Sequence, residues 1–179
     1  MGKISHFFAW LRRLGHARGF GIQSPTDYWF VRYVISEQWP YHAYDALPKA
    51  DRLTTRLGRL YLRLANHRQP STIIDLVGMG PYLHAGCRRA HIITAKDHLA
   101  GMGDGTVEMA VVPIDVDYKM LFDRCDDHSL VVFHDIQHAY NLWRAIENAP
   151  VARITFDLYH CGIVVFDTRR SPHHYKLNL

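Results

Sequence analysis

Residues Ser71 to Asp97, STIIDLVGMGPYLHAGCRRAHIITAKD, read as strand, glycine-containing loop, helix and strand. Thr72 to Leu76 is a short apolar, β-branched run that Gly78 and Gly80 interrupt. Tyr82 to Ala90 has helical character, and His91 to Thr94 resumes β character. The pattern is half of a βαβ unit of the nucleotide-binding kind. In such units glycines let the backbone approach a ligand, and the helix N-terminus offers free N–H groups. A plain strand-to-helix turn needs the same residues, so the stretch decides the fold and leaves the ligand open.

Downstream the alternation continues. Leu99 to Thr106 is a glycine-rich loop, Val107 to Val112 a strand ending near Asp115 and Asp117, and Tyr118 to Arg124 a short helix. Ser129 to Phe133 is a further strand running into His134 and Asp135, and the next helix carries Tyr140, Leu142, Trp143 and Ile146. Ala152 to Leu158 and Gly162 to Phe166 are separated only by Tyr159, His160 and Cys161. A parallel crossover needs about a dozen residues or more, so these two strands must form an antiparallel hairpin. A parallel α/β sheet with an added antiparallel strand at its edge follows.

Upstream, Lys3 to Leu14 places Ile4, Phe7, Phe8, Leu11 and Leu14 on one helical stripe. Ser24, Pro25 and Asp27 form a helix start: N-cap, first-turn proline, and an acid three residues after the cap. The helix they open, through Gln38, is rich in Tyr, Trp, Phe and Val, which calls for packing against the core or a second subunit. Lys49 to Asn66 puts Leu53, Leu57, Leu60, Tyr61 and Leu64 on one side and arginines elsewhere, as in a surface helix, and Gln69-Pro70 ends it.

With 179 residues, 48% hydrophobic and 21% charged, the chain fits one compact unit: a helical N-terminal extension over 1–70 packed on an α/β core over 71–179. No apolar run approaches the ~20 residues of a membrane span, and the expectation is a soluble, cytoplasmic protein. Cys87, Cys125 and Cys161 are odd in number and widely spaced, which gives neither a disulfide framework nor a zinc motif. The net charge of +4 is concentrated in the N-terminal third. Arginines spaced along a helix read as its solvated side, and no interleaved aromatic and basic strand pattern marks a nucleic-acid binder. The 13 histidines are dispersed, without HxxxH or HExxH pairs.

In α/β sheets of this type ligands sit beyond the carboxyl ends of the parallel strands. That rule gathers Asp75, Asp115, Asp117, His134 and Asp135, a set chemically able to hold a hard divalent cation or transfer protons. Each also has a plainer use as a cap or turn residue. For Asp117 the cap is the favoured use; for Asp115 and Asp135 the two uses are evenly balanced.

From the strand closed by Val132-Phe133-His134-Asp135-Ile136-Gln137-His138, through Trp143, Thr155 to Leu158 and Cys161 to Phe166, to the basic, aromatic end at His173-His174-Tyr175, the chain resembles the class I S-adenosylmethionine-dependent methyltransferases. Within them it is most similar to small-molecule O-methyltransferases, some of which require a cation. The resemblance covers about the last two thirds and implies a Rossmann-like sheet. It implies Asp75, Gly78, Gly80 and Asp97 beside S-adenosylmethionine. It also implies Asp115, His134 and Asp135 as catalytic residues or as ligands of a divalent cation such as magnesium. The chain departs from the family in the cofactor half. The family's glycines fall on Val77, Met79 and Pro81, with Gly78 and Gly80 out of phase by one; Thr94-Ala95-Lys96 stands where an acid closes the second strand; and there is no room between Asp97 and Val107 for the family's third strand.

Two functions from different classes follow. One is methylation of a small hydroxyl- or carboxyl-bearing substrate. The other is a non-catalytic binding or assembly role on the same fold, with a homo-oligomer formed through the aromatic N-terminal helices.

Overall fold

The computed structural model describes residues 21–94 and 105–178. The amphipathic stretch Lys3 to Leu14 and the candidate Asp97 lie outside the described residues.

Helix α1, Pro25–Phe30, begins as the sequence specifies: the Asp27 amide donates to the Ser24 side chain at 3.3 Å, with Pro25 in the first turn. It passes into a π-helical turn, Val31–Ile35, and stops there instead of reaching Gln38. Arg63 ends it. The guanidinium donates from Nε to the Val34 carbonyl at 2.7 Å and from Nη2 to the Ile35 carbonyl at 2.8 Å, so carbonyls that a helix end leaves free meet a cation.

A 3-10 turn, His42–Ala46, leads to α2, Arg52–Arg68, which is capped by Asp51 accepting from the Leu53 and Thr54 amides. Gln69, in the left-handed region at φ 50°, stops it before Pro70. The surface helix expected here is instead buried without a break from Leu60 to Ala65, Arg63 included. Its arginine spacing misled because Arg63 is a cap for another helix.

After α2 come β1 (Thr72–Asp75), α3 (Gly80–Gly86), β2 (His91–Ile93), β3 (Met109–Pro113), α4 (Tyr118–Phe122), β4 (Leu130–His134), a 3-10 turn (Ile136–His138), α5 (Tyr140–Glu147), β5 (Ile154–Asp157), β6 (Cys161–Val165) and β7 (His173–Lys176). The sheet order is β2-β1-β3-β4-β6-β5-β7. The pairings leave β6 alone running against the other strands. The fold is therefore α/β and Rossmann-like, with a mostly parallel sheet and an antiparallel hairpin. The reversed strand lies inside the sheet between β4 and β5, not at its edge.

Period-two alternation explains the apolar strands. Ile73, Met109, Val111, Leu130 and Val132 face the layer of α1, α2 and α3, whereas Ile74, Ala110, Val112, Val131 and Phe133 face α4 and α5. Strands covered on both faces need apolar residues at both parities. The edge strand β7 was not expected, since His173-His174-Tyr175 reads as a basic, aromatic end. It pairs in parallel with β5; Tyr175 stacks on Phe156 with ring centroids 5.4 Å apart, and His174 Nδ1 lies 2.9 Å from Thr155 Oγ1.

Asp27 connects the two ends of the described chain. Its carboxylate accepts from Arg170, just before β7, and from the Tyr175 hydroxyl at 2.9 Å, and it is buried. The acid that the sequence places in a capping box thus turns away from its own helix.

No helix among the described residues is long and apolar enough to cross a membrane.

Candidate functional site

The chain runs from β1 to β2 on one side of the sheet and then crosses to β3 on the other, so the switch in strand order lies between β1 and β3. Asp75 closes β1 at that point. Its Oδ1 accepts from the amides of Val77 at 3.1 Å and Gly78 at 3.0 Å, a turn held by its own aspartate. Gly78 has φ +79°, which a side chain would strain, and no atom of the described residues lies within 4 Å of where its Cβ would stand. Gly80 opens α3 with its Cα side toward Asp75: a Cβ there would be 3.6 Å from Oδ2, an ordinary contact. The Oδ2 atom is buried and has no hydrogen-bond partner among the described residues.

His134 closes β4, opposite Pro113 of β3 and Cys161 of β6. Asp135 follows in the left-handed region, at φ 60° and ψ 35°, a conformation that aspartate and asparagine adopt at less cost than most non-glycine residues. It occupies the cap position of the 3-10 turn without making a side-chain cap. Its Oδ1 accepts instead from Gln137 Nε2 at 3.1 Å, and its side chain is 47% exposed. His134 Nε2 lies 3.8 Å from Asp135 Oδ1, beyond hydrogen-bond range but close enough for charge to matter.

The third member of this group was not among the residues singled out from the sequence. Tyr61, wholly buried on α2, places its hydroxyl 2.7 Å from His134 Nδ1. Burial pushes its phenol well above the ordinary value, and Cys161, Asp135 and Asp75 add to the effect. Burial likewise pushes the Cys161 thiol up to about 12. The available signal was a phenol within a leucine stripe, since a buried tyrosine hydroxyl usually finds a partner.

Asp75, His134 and Asp135 are therefore brought to one end of the sheet, close enough that both carboxylates act on the imidazole. Asp117 caps α4, accepting from the Lys119 amide at 3.1 Å and the Met120 amide at 3.4 Å. Asp115 lies exposed in the turn after β3. Among the described residues no three His, Cys, Asp or Glu side chains are grouped so as to hold a metal ion, so Asp115, His134 and Asp135 make no such group as they stand. Cys87, Cys125 and Cys161 are free thiols, the first and last buried.

Burial depresses the pKa of His134 below 6.5, against the opposing pull of Asp135 and Asp75. His67, packed between Trp29 and Phe30, is depressed by burial and by Arg68. A depressed histidine takes up its proton more readily in the unfolded chain, so stability rises with pH through the window below 6.5 and is lost as pH falls through it. Urea midpoints are expected to drop on acidification from neutral pH before the carboxylates titrate, and less so in His67→Phe. A midpoint that stays flat across that window would contradict the assignment.

No family model matches the chain. No curated protein is similar to it at a significant level. A solved structure described as cofactor-bound Rv0187 from MTB is similar at 12% identity, covering 70% of this chain and 86% of that one, with a TM-score of 0.49. So slight a likeness carries nothing of that protein's ligand over to this chain.

Proposed function

We propose that the chain is an S-adenosylmethionine-dependent methyltransferase-type protein that binds its donor at the β1–β3 switch point and methylates a small hydroxyl- or carboxyl-bearing substrate beside His134 and Asp135. The observation that carries this reading is the buried Asp75 carboxylate, whose Oδ2 lacks a partner among the described residues, at the strand end where such sheets take ligands. Among the described residues nothing fills the space beside Gly78.

The bound donor would supply an electrophilic methyl group on a sulfonium. Asp75, Gly78 and Gly80 line the donor side. Asp135, half exposed and held by Gln137, accepts the proton of the substrate oxygen, and His134 stands beside it, close enough for charge to matter. Bound there, the donor would supply the methyl group and its own leaving group, so the protein's share would be alignment and deprotonation. No step is routed through a divalent cation, because the residues do not group to hold one.

A second reading has its own support. Both amides of the Val77–Gly78 turn are already taken by Asp75, and Tyr28, Trp29, Tyr33 and Trp39 leave a large aromatic surface exposed, Trp39 by 74%. A non-catalytic assembly role through those helices would use that surface. Titration calorimetry with S-adenosylmethionine and its demethylated product separates the two. Binding in the micromolar range, about −8 kcal/mol, is expected for the enzyme reading. Absence of heat and of thermal shift at millimolar ligand, together with self-association in sedimentation, would transfer the case to the second.

A further inference from the structure

We infer that Tyr61 is a positioning residue for His134, its buried hydroxyl donating to Nδ1 and thereby fixing the imidazole in the tautomer that carries its proton on Nε2, beside Asp135. Only the consequence for methyl transfer rests on the function proposed above; the tautomer stands on the geometry.

Tyr61 has one hydroxyl proton and two neighbours that can take it. One is His134 Nδ1 at 2.7 Å, and the other is the thiol of Cys161, which sits directly opposite His134 in the β4–β6 ladder. If the hydroxyl donated to the thiol, Nδ1 would carry the imidazole proton. The bare lone pair of Nε2 would then face the carboxylate of Asp135 at 3.8 Å. In the alternative arrangement an N–H faces that carboxylate, the tyrosine proton fills the Nδ1 lone pair, and the Cys161 S–H donates to the tyrosine oxygen. The thiol and the phenol then each have an acceptor, and the Nε2 N–H turns its positive end to the carboxylate of Asp135, 3.8 Å away. At 3.8 Å that N–H is not committed to Asp135 and can donate to a ligand oxygen that lies beside both residues.

This divides the labour at the site. A neutral His134 protonated on Nε2 cannot take a proton from a substrate at that atom. It donates, and proton acceptance falls to Asp135. The residue that sets the division comes from the helix before the sheet, outside the strand ends where ligand contacts gather.

The test is a long-range proton–nitrogen correlation spectrum of the full-length protein carrying 15N-histidine, at about pH 8, above the ordinary histidine value of about 6.5. The His134 signals are assigned by their contacts to the Tyr61 ring and by their loss in His134→Gln. The wild type is expected to show His134 as a single tautomer protonated at Nε2. Tyr61→Phe is expected to lose that single pattern, while His67 keeps its own. A wild-type His134 protonated on Nδ1 overturns the inference, and so does a Tyr61→Phe spectrum in which His134 is unchanged. Should Tyr61→Phe not fold, the wild-type spectrum still decides. No methyl donor is needed, so a failed cofactor titration and a failed tautomer assignment remain separate results.

Discussion

Asp27→Ala is expected to lower the unfolding free energy by about 3 kcal/mol or more, because it removes one partner of a buried ion pair and leaves the other charge uncompensated. Asp27 is almost fully buried, and its carboxylate is the common acceptor for Arg170 and the Tyr175 hydroxyl. Arg170 keeps 23% of its side chain exposed, so part of its charge can reach water, which sets the expectation at the low end of the usual range. For a chain of this size that is a melting temperature lower by about 6–12 °C. The effect should be larger than a local one, since the pair joins α1 to the segment entering β7. Replacing both charges together, as Asp27→Leu with Arg170→Met, is expected to recover much of the loss. A cost below about 1 kcal/mol for Asp27→Ala, the range of exposed pairs, would show that the contact does not hold the two ends together.

That pair also marks what the sequence could not disclose. Ser24-Pro25 announces the start of α1 through chemistry confined to four residues, and Asp117 announces α4 in the same way. Partnerships across 143 residues, such as Asp27 with Arg170, leave no local trace. Strand existence was legible where both faces are buried, because Ile73-Ile74 or Val131-Val132 are apolar at either parity. At the edge the same rule fails: β7 is His173-His174-Tyr175-Lys176, mostly exposed, and becomes a strand only through its pairing with β5. The π-helical turn at Val31–Ile35 is likewise invisible, since its end depends on the guanidinium of Arg63 reaching from α2.

The site was legible to the extent that it lies at strand ends. Asp75 and His134 close β1 and β4, and Asp135 follows directly, so topology alone gathers them once the strands are known. Asp115 also follows a strand, but the turn after β3 carries it into solvent. Tyr61 sits seventy-three residues from the histidine it contacts, within a run of leucines that share its helical face. Its role as part of the apolar stripe and its role as a hydrogen-bond donor are both real, and only the second needs the fold to be seen.

The opposite face of the sheet gives the second large expectation. Trp143→Ala should cost about 3–5 kcal/mol, the usual price of truncating a large buried aromatic side chain. Trp143 is wholly buried on α5, 6.3 Å from the Phe133 ring by centroids, and its indole N–H has no partner among the described residues, so packing carries its contribution. The ring lies directly over Gly162 of β6. A Cβ built there would be 2.8 Å from Cε3 and closer still to Cη2 and Cζ3, which makes glycine a requirement of the tryptophan, not of the strand. Gly162→Val alone should therefore destabilise by overpacking, about 1–3 kcal/mol. Placed in the Trp143→Ala background, the same valine occupies vacated space, and β-branching suits a central strand. The double variant is expected to be more stable than Trp143→Ala alone, a strongly non-additive result in denaturant titrations. If the two costs simply sum, the indole and Gly162 are not in contact, and the packing of α5 on β6 described above is wrong.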